Sequence, residues 1–206
     1  MDRSRYMDAR EVNLLRATAE NRAVRDLRAG RKGGVKAWAV VDTALSTGLR
    51  VSELAALTVG DYDAKRSALR VSRLKRKEPL VETLAIGKDL AEHLRDFIAW
   101  KGDAGEPVGK ADALFHGNQG PLTAQGLQQI WKAAIRRAGL PKELSIHCAR
   151  HTMAVHLLRK THNLRQVQKQ LGHASPATTA NMYADVTFED MQAGVDGLYG
   201  GQAVSE

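Results

Sequence analysis

The sequence predicts a mainly α-helical domain carrying one small antiparallel β-hairpin. Apolar residues recur at helical spacing through most of the 206 residues, whereas the stretch from 68 to 86 switches to alternation. The length suits one domain with a sizeable core, and no apolar run approaches the roughly 20 residues of a spanning helix.

Asp8 followed by Glu11 forms a capping-box pattern, and Val12, Leu15 and Ala19 continue an apolar face toward Gly30. Residues 30 to 34, Gly-Arg-Lys-Gly-Gly, read as a basic, flexible turn. A second helix carries Trp38, Val41 and Leu45 on one side and stops at Gly48. A short helix starting near Ser52 presents Leu54 and Leu57. Leu69 and Val71 then alternate with Arg70 and Ser72, and Leu84 and Ile86 alternate with Thr83 and Ala85. Between them lies Lys77-Glu78-Pro79-Leu80, with Pro79 expected in the turn of the hairpin.

A helix with Leu90, Leu94, Phe97 and Ile98 inward follows, then a Gly/Asp/Pro-rich loop at 102 to 112. The next helix starts from Thr123, carries Leu127, Ile130, Trp131, Ala134 and Ile135, and is ended by Gly139 and Pro141. Ser145 is expected to cap a helix presenting His147 and Arg150, three residues apart and so on one face. Asn163 caps the next helix, with Leu164, Val167 and Leu171 apolar, and Gly172 ends it in a left-handed conformation. His173 follows that end, Ser175-Pro176 restarts a helix, and Tyr183 lies about two turns along it.

Lys plus Arg number 31 against 23 Asp plus Glu, a formal net charge of +8. Such an excess favours a polyanionic partner, because neutralising phosphates releases counterions. The aromatic content of 5% argues against a single-strand binder built on base stacking. One cysteine, Cys148, cannot form an internal disulfide, so a reducing cytoplasm is the expected compartment and a buried packing role the expected use. No signal-peptide pattern opens the chain.

The chemistry concentrates in Arg50, Lys77, His147, Arg150, His173 and Tyr183. Attack on a phosphodiester needs a deprotonated nucleophile, donors for the phosphoryl oxygens as charge builds, and a proton for the leaving alkoxide. A free tyrosine ionises near pH 10, so Tyr183 needs a cationic site to attack at neutral pH. Arg50 and Arg150 can each present a planar fork of donors and stand in for a metal. No acidic cluster or Cys/His spacing suggests magnesium or zinc, and no cofactor is expected. Each residue alone has an ordinary structural explanation; the joint pattern does not.

These residues make the chain resemble the catalytic domain of the tyrosine recombinases, the phage-integrase family. One matching block is Thr47-Gly48-Leu49-Arg50-Val51-Ser52-Glu53-Leu54, with Leu57 and Asp61 after it. The other is His147-Cys148-Ala149-Arg150-His151-Thr152, then Gln170-Leu171-Gly172-His173, Thr178-Thr179 and Tyr183. The match runs from about Arg5 to Leu198. The resemblance implies that Tyr183 attacks a DNA phosphate, giving a covalent 3′-phosphotyrosyl link and a free 5′-hydroxyl. It implies that Arg50 and Arg150 clamp the phosphate, that His147 assists proton transfer as general base, and that His173 hydrogen-bonds the phosphate. A hairpin lysine would protonate the leaving oxygen; counting back from Ile86 places Lys77 there, and a hairpin two residues longer would place Lys75. Glu53 would anchor the loop bearing Arg50. Ala149 departs from the leucine usual before the second arginine.

The same resemblance implies double-stranded DNA as partner, a homo-oligomer, expected as a tetramer on paired sites, accessory DNA-bending proteins, no membrane, and nucleoid association when DNA-bound. Because the match starts almost at Met1, the family's N-terminal core-binding domain is expected to be absent and residues 1 to 206 to form a single catalytic domain. The chain would then be a catalytic fragment or a short single-domain member, with weaker and more salt-sensitive DNA binding than a two-domain clamp. Thr187 to Leu198 reads as an amphipathic helix that docks on a neighbouring protomer or on its own domain. The competing readings are a type IB topoisomerase-like DNA relaxation and a non-catalytic DNA-binding regulator.

Overall fold

The computed structural model describes residues 6–75 and 78–172. Ahead of the first helix, Met7 is fully buried; its N–H donates to Thr152 Oγ1 (2.9 Å) and its carbonyl lies 3.1 Å from His156 Nε2. Helix α1 (Ala9–Arg28) then starts through the expected reciprocal cap: Glu11 N–H donates to Asp8 Oδ1 (2.8 Å) and Asp8 N–H to Glu11 Oε2 (2.9 Å). Leu15, Ala19 and Ala23 are its buried apolar face, packed on α2 (Gly33–Thr47).

Gly33 and Gly34, expected in a turn, are the first residues of α2. Close packing explains it. A Cβ at Gly34 would meet Asp26 Oδ2 at 2.6 Å and the Arg22 carbonyl at 2.7 Å, so α1 and α2 approach this closely only over glycine. Helix α2 is the hub. It touches α1, α4, α5 and α6, and buries Ala37, Ala39, Val40, Val41, Ala44 and Leu45. The short α3 (Val51–Ala55) buries Leu54, while Leu57 is buried just beyond it.

Three antiparallel strands follow, in the order β1 (Tyr62–Asp63), β2 (Ala68–Lys75), β3 (Glu78–Ala85). The two-residue β1 is too short to show alternation and was not foreseen. Val71 is buried between exposed Arg70 and Ser72, and Leu84 between exposed Thr83 and Ala85, as the alternation predicts, while Leu69 is buried beside the likewise buried Ala68. Register runs from Ala68 opposite Ala85 to Lys75 opposite Glu78, which corrects the turn expected at Pro79. Pro79, in β3, pairs with Leu74 of β2; among the described residues β3 is an edge strand, where a missing N–H is tolerated, and Lys75 and Glu78 are the last paired residues of the hairpin. Ile86 lies one residue past β3, buried, its N–H donating to the Ser67 carbonyl.

Helix α4 (Lys88–Asp103) turns Leu90, Leu94 and Phe97 inward, with Ile98 partly buried beside them. At its end, fully buried Lys101 donates from Nζ to the Ala113 and Leu114 carbonyls (2.8 and 2.9 Å), fastening the 102–112 loop. Thr123 Oγ1 accepts from Gly126 N–H to cap α5 (Ala124–Arg137), which buries Leu127, Trp131, Ala134 and Ile135. Helices α6 (Ile146–Thr161) and α7 (Leu164–Leu171) complete the described chain, enclosing a second small core of Met153, Ala154, Val167 and Leu171. No helix among the described residues is long and apolar enough to cross a membrane.

Candidate active site

At the C-terminal end of α2, Gly48 adopts a left-handed conformation (φ 63°) and turns the chain into buried Leu49 and then Arg50, the N-cap of α3. Glu53, three residues into that cap, accepts Arg50 N–H at Oε2 (2.9 Å) and Arg50 Nη1 at Oε1 (2.7 Å). The carboxylate is buried (7% exposed) while the Arg50 side chain stays 46% exposed. Glu53 thus fixes the loop and aims a half-exposed guanidinium outward, the anchoring role expected of it.

The second arginine enters from α6. Trp131, fully buried in α5, donates from Nε1 to the Leu144 carbonyl (2.8 Å) and so holds the loop just ahead of that helix. Ser145 occupies the N-cap with extended backbone but does not cap with its side chain: its hydroxyl lies 3.8 Å from Cys148 Sγ instead. Cys148 is buried, as expected of a packing residue. His147 is exposed on the first turn, and Arg150, one turn on, is 7% exposed. Arg150 Nη1 donates to the Gly48 carbonyl (2.8 Å) and Nη2 to the Leu171 carbonyl (2.7 Å), joining the ends of α2 and α7. Burial, and next the like charge of Arg50, lower its pKa to about 10, with Glu53 opposing; it remains a cation at neutral pH.

Beneath these groups lies a residue the sequence reading passed over. Arg73 on β2 is 3% exposed, donates from Nη1 to Glu82 (2.6 Å) and from Nη2 to the Gln170 carbonyl (3.0 Å), and sets Nε 3.7 Å from Glu53 Oε1. The signal was present: Leu69, Val71 and Arg73 share one strand face by alternation, so a cation stands where the core pattern asks for an apolar residue. Arg73 also explains Gly172, the left-handed cap of α7 (φ 65°), where a Cβ would overlap the Arg73 guanidinium.

The fold therefore brings Arg50, Arg150 and Glu53 together, with His147 on the same helix as Arg150. Lys75 ends β2 opposite Glu78, and Lys77 falls outside the described residues. His173, the Ser175-Pro176 restart, Tyr183 and the 187–198 segment also lie outside them. Among the described residues no group of His, Cys, Asp or Glu is arranged to hold a metal. A cavity of about 380 Å³, lined by Arg22, Lys36, His116 and Arg137 among others, opens at the other end of α2 and includes none of these site residues.

The model of the phage integrase family matches residues 5–190. The chain is 32% identical over 155 residues to tyrosine recombinase XerD of Corynebacterium glutamicum, covering 75% of this chain and 49% of that protein. It is 37% identical over 153 residues to tyrosine recombinase XerC of Corynebacterium efficiens, covering 73% and 46%. It thus spans about half the length of the curated relatives it matches. In fold it is similar to XerA recombinase, with a TM-score of 0.74 at 22% identity over 96% of this chain and 64% of that one. It is likewise similar to the Tn1549 transposon integrase in complex with transposon right end DNA (TM-score 0.73, 22% identity, 96% and 67% covered).

Proposed function

Because the chain belongs to the phage integrase family, matched over residues 5–190, we propose that it carries the catalytic machinery of a site-specific DNA recombinase. Its substrate is duplex DNA, and it cleaves and rejoins strands through a covalent 3′-phosphotyrosine intermediate as a homo-oligomer on paired sites. One observation carries this reading: two arginines distant in sequence, Arg50 and Arg150, share one electrostatic neighbourhood with Glu53, one guanidinium half-exposed and the other buried and fastened to two carbonyls. Among the described residues Arg150 spends one N–H of each terminal nitrogen on a carbonyl, and Arg50 one on Glu53, out of the five N–H groups that each side chain carries. Such a pair suits a non-bridging phosphate oxygen on which charge builds, because both present charged donors from a backbone held in place, Arg50 by the Glu53 cap and Arg150 by its two carbonyls.

In the proposed cycle Tyr183 oxygen attacks phosphorus, the bond to the 5′ oxygen breaks, and a hairpin lysine, Lys77 or alternatively Lys75, supplies the proton that makes it a 5′-hydroxyl. His147 accepts the tyrosine proton as general base, and His173 hydrogen-bonds the phosphate. The phosphoryl bond is conserved in the protein link, so attack by a 5′-hydroxyl of a partner strand reseals the DNA without ATP. That the relatives are named recombinases favours this over topoisomerase-like relaxation or a non-catalytic regulator.

Covalent trapping tests it. Nicked suicide duplexes made from the DNA flanking the gene are incubated with the wild type and with Tyr183→Phe. The expected result is a denaturation-resistant adduct with the wild type alone and equal duplex retention by both. An adduct with Tyr183→Phe removes Tyr183 as nucleophile; duplex retention without adduct from either protein supports the regulator reading.

A further inference from the structure

Among the described residues Arg73 makes two hydrogen bonds, one from each terminal nitrogen, and leaves its third nitrogen, Nε, without one. Its Nε is buried and has no hydrogen-bond partner among the described residues, although Glu53 Oε1 stands 3.7 Å away. That oxygen is occupied by Arg50 Nη1 at 2.7 Å. A buried donor left unpaired costs free energy, so its persistence needs a reason. At 3% exposure Arg73 cannot itself reach DNA. Its anchors, Glu82 and the Gln170 carbonyl, instead keep the guanidinium in place beside Glu53.

We propose that Arg73 is a positioning residue that takes over Glu53 when Arg50 turns to the phosphate. In the free protein Arg50 is held by Glu53; engaging a phosphate draws its guanidinium outward and would strand a buried carboxylate. A shift of under 1 Å brings Arg73 Nε from 3.7 Å into hydrogen-bond range of Oε1. The carboxylate then stays satisfied and its second oxygen keeps the Arg50 N–H, so the loop holds while the side chain is released. No bond is made or broken covalently; one charge-assisted hydrogen bond replaces another.

The proposal rests on the recombinase reading, and the test separates the two. Single-turnover cleavage of the suicide duplex, duplex affinity and melting temperature are measured for the wild type, Arg73→Met, Glu53→Gln and the double variant. Absence of adduct from the wild type overturns the recombinase reading, and Arg73's role with it. With wild-type adduct in hand, Arg73→Met is expected to cleave roughly 100-fold more slowly, as for a reacting group displaced by about 1 Å, with duplex affinity changed less than about threefold. The double variant is expected to be no slower than the slower single variant, within about threefold, because both act on one link. Additive losses, or a wild-type rate in Arg73→Met, overturn the proposal. Should Arg73→Met melt below the assay temperature, Arg73→Lys keeps the charge; the same split between rate and affinity is expected, and a wild-type rate overturns the proposal.

Discussion

Replacing Glu53 by glutamine keeps the size and an accepting oxygen but removes the carboxylate's charge from among three guanidiniums. Its Oε1 lies 2.7 Å from Arg50 Nη1 and 3.7 Å from Arg73 Nε, and its charge also supports Arg150. At an effective dielectric constant of about 20, such separations correspond to roughly 6 and 4 kcal/mol of gross attraction. Solvent screening discounts the first, since Arg50 is 46% exposed. The cost of keeping Glu53 itself dry offsets much of the rest. The expected net loss is about 3 kcal/mol, the range seen when one partner leaves a buried ionic network. For a domain of this length that lowers the melting temperature by roughly 6–12 °C. Glu53→Ala also deletes the acceptor for Arg50 N–H and is expected to lose about 1 kcal/mol more. Thermal unfolding followed by circular dichroism reads both. A Glu53→Gln variant melting within about 2 °C of the wild type refutes the idea that this carboxylate holds the arginines.

Gly172→Ala is expected to cost about 2–3 kcal/mol, since it imposes both a left-handed φ of 65° and an overlap with Arg73; a denaturant midpoint equal to the wild type contradicts it. Lys101→Met leaves the Ala113 and Leu114 carbonyls without their buried donor and is expected to cost about 2–4 kcal/mol in urea unfolding. Burial lowers the Lys101 pKa below 10.5, so the folded state releases that proton before the unfolded state does. Its contribution to stability therefore rises with pH from the folded pKa toward 10.5, and the gap between wild type and Lys101→Met should widen over that alkaline window; a gap that narrows there contradicts the sign.

The helices were legible because their faces carry the signal. Leu15 and Ala19 in α1, or Leu127, Trp131 and Ala134 in α5, recur at the spacing the fold uses. Gly33 and Gly34 were misread because two adjacent glycines look like a turn when the cause is interhelical contact with Arg22 and Asp26, which local sequence does not encode. Pro79 was misread as a turn residue because the rule against proline in strands lapses on an edge strand, and which strand is the edge is a tertiary fact. In the candidate site, where the structure sets Arg50, Arg150 and Glu53 side by side, the two arginines were singled out from the joint pattern and Glu53 from the family resemblance. Arg73 was not, since its charge reads as ordinary hairpin solubility until the Gln170 carbonyl and Glu53 are seen around it.

The two carbonyls that hold Arg150 belong to residues 102 positions before it and 21 positions after it. Both contacts are non-local, so loop closure must be complete before either forms. On a ribosome, Gly48 emerges long before Arg150, and Arg150 before Leu171, so the guanidinium has no seat until nearly the whole described chain has been made. The same geometry acts in the finished protein: fraying of α7 removes the Leu171 carbonyl and loosens Arg150 in the same event. The seat of this guanidinium is thereby completed late and is lost whenever α7 opens. Immature or partly opened chains carry the sequence of the site without its geometry.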